Sequence, residues 1–516
     1  MEKNKITLVF VLGITLFLSL YLGVGAATAQ QEALYLTAIG LAVGGVIAAG
    51  KKIWIVIPLV SISSLYFRWI PGNFTITEVG MLATLSGGSL LVTTRRIRLR
   101  FNFGFEHFIA ALLILMVALT WVRNPVGIAL FGGSTLGGRG YFTFAISVLV
   151  CLFISGLQVP RAELYLARKA AVVGGLFSMT AQFVGQVPGL SLPMTILFGT
   201  SYGGETGQGA ADGEVRDEKA ADRNIAGATM ATVLSRILIG FTSPLKALVR
   251  VGWLIVLALS FIGALWAGFR SRLFQICLHY AFAVFYWSGV RGVVISLFIG
   301  ILGLAALASV NSIVPLPPNV QRTLTFLPGT WEERYKRDAE GSNDWRLEMW
   351  EAALFTDYWI DNKYIGDGLG FTLEELDLQR AVANKQIAVR GIGKLSPQQV
   401  SFMTNGDYHS GPVSFIRVVG WIGLFIFTIG CFSLAWKAHR LIKSRWRTDD
   451  FGLVCFFCIP MVAHPFYFLF IIGDFRKDSV IFLLNLAILT LIRNNLGWSD
   501  EEEDEVDTPV GGEVAR

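Results

Sequence analysis

The stretch NGDYHSGPVSFIRVVGWIGLFIF, residues 405–427, decides how the rest of the chain is read. It starts polar, carries a histidine, and turns apolar at once. The apolar run continues to residue 436 and stops at KAHRLIKSRWR, residues 437–447. About 20 apolar residues, at about 1.5 Å of helix each, match the roughly 30 Å hydrocarbon core of a bilayer. The basic end then marks the cytoplasmic side, because short loops rich in Lys and Arg stay inside. One such segment is an anchor; many make a polytopic helical membrane protein.

The chain has many. Its 516 residues are 53% hydrophobic, with 38 Phe and 14 Trp, and only 16% are charged. A soluble domain carries about 25% charged residues. Candidate spans lie near residues 6–26, 33–50, 53–69, 75–93, 107–122, 141–158 and 170–187. Others lie near 225–243, 250–269, 272–289, 291–310, 413–436, 451–472 and 478–493. The expected fold is therefore all-α, with about 12–14 transmembrane helices. The weakest two, 75–93 and 225–243, contain LSGGS and LSRIL. The first run reads as a retained span, although the basic start and Ala27-x-Ala29 resemble a signal peptide.

The basic loops RRIRLR (95–100) and 437–447 place both termini inside. Two polar segments then fall outside, one near 188–224 and a long one over 311–411. The expected organisation is spans over 1–310, an external loop over 311–411, spans over 412–495 and an acidic tail over 496–516. The tail's DEEEDEVD (500–507) repels itself and has nothing apolar to fold it. The long loop carries Trp331, Trp345, Trp350 and Trp359, which argues that it folds onto the membrane domain. The net charge of +6 reports orientation, and no nucleic-acid module is present. All five cysteines fall within spans, so CFFC (455–458) reads as packing within an apolar helix.

Three places offer chemistry. His409 is the one histidine of five in the external loop; His107 and His439 lie at cytoplasmic boundaries, and His279 and His464 inside spans. Gly420 and Gly423 follow on one helical stripe, where small residues admit a close neighbour. A snorkelling or capping histidine explains this spacing equally well. The second place is GSNDWRLEMWEAALF, 341–355. Asn343 or Asp344 can cap a helix there, and Arg346 and Trp350 share its face. An amphipathic surface helix with Arg stacked on Trp is the plainer alternative. The glycines of GDGLGF (366–371) form a turn without the Lys-Ser/Thr of a phosphate loop. The third is GFRSRLFQICLHY, 268–280, where Arg270 and Arg272 sit at the external end of a span. That runs against the positive-inside trend and invites a specific partner, unless a weak span is miscounted.

Together these places resemble the bacterial O-antigen ligases. His409-Ser410, nine residues, Gly420, two residues and Gly423 match the family's His-[Asn/Ser/Gln]-x9-Gly-x-x-[Gly/Thr/Tyr] pattern. SNDWRLEMWEAA looks like its Arg-x-x-x-Trp region, RSRLF its Ser-Arg segment, and DRNIAGATMATVL (222–234) its Asn-x-x-Ala stretch. The likeness covers about residues 220–430. It implies a GT-C-like membrane glycosyltransferase of the bacterial inner membrane, with its site facing the periplasm. Such an enzyme takes a glycan from undecaprenyl diphosphate to a hydroxyl of a lipid core, a glycan or another acceptor. By motif, Arg272, Arg346 and His409 would engage the diphosphate without a metal or other cofactor. Arg270 and Arg291 are alternatives for the first, and Arg270, Trp350 and Asp407 would bind substrate. Asp407 and Asp474 could orient the acceptor, though solvated loop acids are the plainer reading. The rival class is a transporter or flippase of lipid-linked sugars, for which ionisable residues near the midplane and discontinuous helices are expected.

Overall fold

The computed structural model describes residues 49–63, 65–67, 73–125, 138–187, 198–200, 223–370 and 397–497, with a few isolated positions besides. The expected span near 6–26 and most of the span near 33–50, of the 188–224 loop and of the acidic tail lie outside the described residues. The chain divides into two compact units, one from Met1–Ile97 and Ala170–Glu214, the other from Arg98–Lys169 and Val215–Arg516.

In the first unit a 3-10 turn, Gly50–Ile55, runs into α1, Val56–Val60. The expected span over 53–69 therefore ends early. Ser61 Oγ donates to the Pro58 carbonyl, and Ser63 Oγ accepts the Leu65 amide, so serine side chains take over where helix bonds would continue. Strand β1, Leu65–Phe67, then pairs antiparallel with β2, Phe198–Thr200, in the register Tyr66 to Gly199. Helix α2, Ile76–Thr93, starts with a capping box. The Thr75 hydroxyl accepts the Glu78 amide, and Glu78 accepts the Thr75 amide. Gly80 lets α2 meet α1, since a Cβ there would lie 2.7 Å from Val60.

The second unit begins with α3, Phe105–Arg123, and α4, Gly138–Ser155. Helix α5, Arg161–Val184, runs from this unit into the other. Then come α6, Ile225–Phe241, and α7, Val251–Trp266. Asn224 caps α6 by accepting the Gly227 amide at 3.0 Å. Gly227 and Gly263 bring α6 and α7 into backbone contact: a Cβ on either would sit 2.8 Å from the other's carbonyl oxygen. The weak-looking 225–243 segment is thus a buried helix whose small residues are its packing surface.

Helix α8, Arg270–Ile313, breaks at Gly289, at the boundary between the two expected spans 272–289 and 291–310. Beyond the break its apolar side chains face outward; Leu297 and Phe298 are each 63% exposed. Short helix α9, Pro318–Leu324, the long charged helix α10, Glu333–Phe355, and α11, Pro397–Thr404, form about half of the described part of the 311–411 loop. The start of α10 corrects the cap expected at Asn343 or Asp344. Both lie inside the helix, because the preceding ERYKRDAE supplies good helix formers. Helices α12, Gly411–Ser444, α13, Phe451–Phe470, and α14, Phe475–Asn495, complete the chain. The core lies where α12 packs against α13 and α3, and α14 against α4.

Among the described residues six helices are long and apolar enough to cross a membrane: α2, α3, α4, α8, α12 and α13. Helices α6 and α7 are apolar but shorter. The protein is a mostly helical, multi-pass membrane protein.

Candidate functional site

Helix α10 carries a stripe at alternating spacings of four and three. Tyr335, Ala339, Met349 and Ala353 are buried along it, with Ser342 and Arg346 half-buried between them. Arg346 therefore sits on the inward face of a polar helix. Its Nε is buried without a hydrogen-bond partner. Burial, with the charges of Arg270 and Arg322, pulls its guanidinium below the usual arginine range. Arg270, the first residue of α8, donates to the Ala339 carbonyl at 2.6 Å and ties α8 to α10. Arg322 on α9 donates to the Gly268 carbonyl at 2.6 Å and pairs with Asp338 on α10. Three guanidinium groups thus share one corner, with Asp338 offsetting part of their charge.

His409 meets the same helix α10 through Trp345. Its backbone is left-handed, φ 52°, a region histidine enters more readily than most residues. Asp407 holds it there. One carboxylate oxygen accepts both the His409 amide and His409 Nδ1, each at 3.1 Å. An ionised carboxylate only accepts, so Nδ1 carries a proton and Nε2 is the acceptor nitrogen of the neutral ring. Phe402 and Trp345 wall the imidazole, with centroids 4.7 and 5.5 Å away. Trp350 Nε1 donates to the Tyr408 carbonyl at 2.8 Å. Trp345 and Trp350 therefore clamp the histidine segment to the helix that carries Arg346.

Burial opposes ionisation of Asp407. The hydrogen bonds and charge of His409, helped by Lys477, outweigh it and hold the carboxyl well below its ordinary range. Asp474 goes the other way. Burial and the nearby Asp407 and Asp478 charges raise it, against the pull of Lys477 and Arg476. Asp474 also caps α14, accepting the Arg476 and Lys477 amides. Two neighbouring carboxylates with oppositely shifted affinities suit separate roles, one fixed as an anion and one able to take up a proton.

A third feature fixes the start of α12. Gly420 breaks the helix, φ 69° and ψ −175°. In an unbroken helix the Trp421 and Ile422 amides would bond the Arg417 and Val418 carbonyls. Here Trp421 and Ile422 donate to Lys363 and Tyr364, while Arg417 and Val418 accept from Asp367 and Gly368. The 363–368 loop is spliced into the break, and all four groups are satisfied. The contact is close: a Cβ at Gly420 would strike the Tyr364 carbonyl, and one at Gly366 the Val418 carbonyl. Asp367 locks the splice by pairing with Arg417 at 3.1 Å and Arg123 at 3.5 Å. Gly420 thus serves a loop and a helix break, which corrects the expected stripe of small residues facing a second helix.

The expected residues fall into two groups. Arg270 and Arg346 come together, as do His409, Asp407 and Trp350. Arg272 donates to Gln275 at 2.6 Å and lies near Tyr467, whose hydroxyl meets Ser271. Arg291 is exposed, beyond the Gly289 break. Arg322, Asp367, Arg417 and Arg476 were not singled out from sequence. Arg476 donates to the Leu369 carbonyl at 3.4 Å and senses Asp474, Asp407 and Arg139. The signal for it was GDFRKD (473–478), a charged cluster between two apolar runs. Among the described residues no three His, Cys, Asp or Glu side chains gather as a metal site.

Guanidinium groups of this kind bind phosphate oxygens in bidentate fashion, and the Asp407–His409 pair can accept or deliver a proton. No protein-family model matches the chain, and no curated protein matches it.

Proposed function

We propose that the protein is a GT-C-like membrane glycosyltransferase of the O-antigen ligase and polymerase kind. It moves a glycan from undecaprenyl diphosphate to an acceptor hydroxyl in cell-envelope polysaccharide or lipopolysaccharide synthesis. The observation that carries this reading is the Arg346 helix. It joins a corner of three arginines to the Asp407–His409 pair through Trp345 and Trp350. The acceptor oxygen attacks the anomeric carbon as the bond from that carbon to the diphosphate oxygen breaks. The acceptor proton passes to His409 Nε2 or to Asp474, and the departing diphosphate meets Arg346 and Arg270. Attack opposite the leaving group inverts the anomeric centre. The positive-inside pattern supports an external position for this site, which in this reading is the periplasmic face of the bacterial inner membrane.

The test is transfer from a lipid-linked glycan in detergent. His409→Ala and Arg346→Ala should each lower turnover by about 10²-fold or more while the protein still accumulates in membranes. Full turnover in either variant removes that residue from the mechanism.

The second reading is a transporter or flippase of lipid-linked sugars. Helix breaks at Gly289 and Gly420, and a His464–Asp478 pair between spans, are features that class uses. Turnover without sealed vesicles would rule out a pure transporter, whereas flux in vesicles with no turnover in detergent would favour one.

A further inference from the structure

His464 and Asp478 take no part in the proposed reaction. They lie on α13 and α14, among apolar side chains, where an ionised carboxylate without partners is costly. Their side chains are only 10% and 7% exposed. His464 Nε2 is 2.9 Å from one Asp478 oxygen, and Nδ1 is 3.8 Å from Cys431 Sγ on α12. The other Asp478 oxygen accepts the Asp474 amide at 2.7 Å. A neutral imidazole is fully served: Nε2–H donates to Asp478, and the Cys431 thiol can donate to Nδ1.

The Asp474 amide belongs to the turn that opens α14, and that turn is wedged. A Cβ on Gly473 would lie 2.7 Å from Asp478 Oδ2 and 2.9 Å from Gly411 Cα. Gly411 is the first residue of α12, two positions after His409, and a Cβ there would strike Phe468. If the pair served packing alone, apolar residues of similar volume would serve as well. Its second carboxylate oxygen instead reaches a backbone amide beside the site.

We propose that the His464–Asp478 pair is a positioning element: Asp478 pins the Gly473–Asp474 turn against the start of the His409 helix, and His464 pins Asp478. The Asp474 carboxylate is thereby held beside Asp407. The charged and titratable groups facing this region are Asp407, Arg476, Lys477, Arg139 on α4, Arg272 on α8, Tyr467 on α13 and Cys431 on α12. That this place is an active site rests on the glycosyltransferase reading; the placement of Asp474 can be measured without turnover.

The measurement is diethyl pyrocarbonate modification of His409 against pH, on the purified full-length protein in detergent, read by mass spectrometry. Losing a nearby negative charge makes the imidazole release its proton at lower pH. Asp474→Asn should lower the reactivity midpoint by about half a pH unit. Asp478→Asn should lower it as well, and the double variant should match Asp474→Asn alone, because Asp478 acts through Asp474. His464→Gln, which keeps a donor, should titrate like the wild type, and His464→Leu like Asp478→Asn. If Asp478→Asn fails to accumulate, the two His464 variants decide the matter. Wild-type midpoints in Asp478→Asn and His464→Leu, or additive shifts in the double variant, overturn the proposal. Shifted midpoints in a protein without transfer activity would uphold it and sink the glycosyltransferase reading; unshifted midpoints in an active enzyme would do the reverse.

Discussion

Replacing Gly420 by alanine puts a methyl group against the Tyr364 carbonyl. The backbone there, φ 69° and ψ −175°, belongs to a region essentially restricted to glycine, and forcing another residue into it costs about 1–3 kcal/mol. The methyl group also pushes the loop away. The bonds from Trp421 to Lys363 (2.8 Å) and from Ile422 to Tyr364 (3.2 Å) are then lost first. In an apolar span, where no water replaces the lost partner, each amide left unpaired costs about 1–3 kcal/mol. The sum is at least about 3 kcal/mol, or roughly a hundredfold loss in the population with the loop docked. Amide hydrogen exchange by mass spectrometry in detergent reads this directly. Peptides carrying Asp367, Gly368, Trp421 and Ile422 should exchange about 10²-fold faster in Gly420→Ala. Gly303→Ala is the control: it has open space around it, and its exchange should stay as in the wild type. Unchanged protection in Gly420→Ala would refute the splice.

Asp407 and Asp474 should respond oppositely to neutralisation. Asp407 is held low in the fold, so its contribution is present above the ordinary carboxylate range, near pH 3.9, and fades only as pH falls further. Asp407→Asn should therefore melt at lower temperature than the wild type at pH 7. Asp474 is raised, so its ionised form is a burden at neutral pH, and asparagine caps a helix as well. Asp474→Asn should melt higher at pH 7, with the gain shrinking as pH drops through the raised value; a loss at pH 7 would contradict that. Lys437 Nζ lies 3.0 Å from Glu106, which is 3% exposed and also accepts from Ser433. Lys437→Met should cost about 3–5 kcal/mol by stranding that carboxylate, and adding Glu106→Gln should restore most of it. Additive melting losses in the double variant would show that the two side chains do not depend on each other.

Much of this was legible as pattern. Apolar runs between charged ends gave most described helices, because length and hydropathy alone decide what can lie in lipid. Long-range partners were not legible. Arg322 sits in PLPPNVQRTL, where nothing local marks it; its place depends on Asp338 and on the Gly268 carbonyl. The stripe that turns Arg346 inward was present in the sequence, but a cap placed at Asn343 or Asp344 cuts it in half. A glycine in an apolar run looks the same whether it faces a helix or a loop, so Gly420 could not announce the break. The serines after Val60 were the visible clue that the 53–69 run stops early. His409 and Asp407 are two residues apart, yet their pairing goes with the left-handed backbone at His409 itself, which composition does not specify.

The spliced break also bears on biogenesis. A segment with two open amides and two open carbonyls cannot be released sideways into hydrocarbon without a large penalty. Synthesis runs in the helpful direction: residues 363–368 leave the ribosome before Arg417 and Trp421 do. In that order the earlier loop is already made when the helix that needs it emerges. Insertion of this region is a docking event between two parts of the nascent chain, with partition into lipid following as its second act.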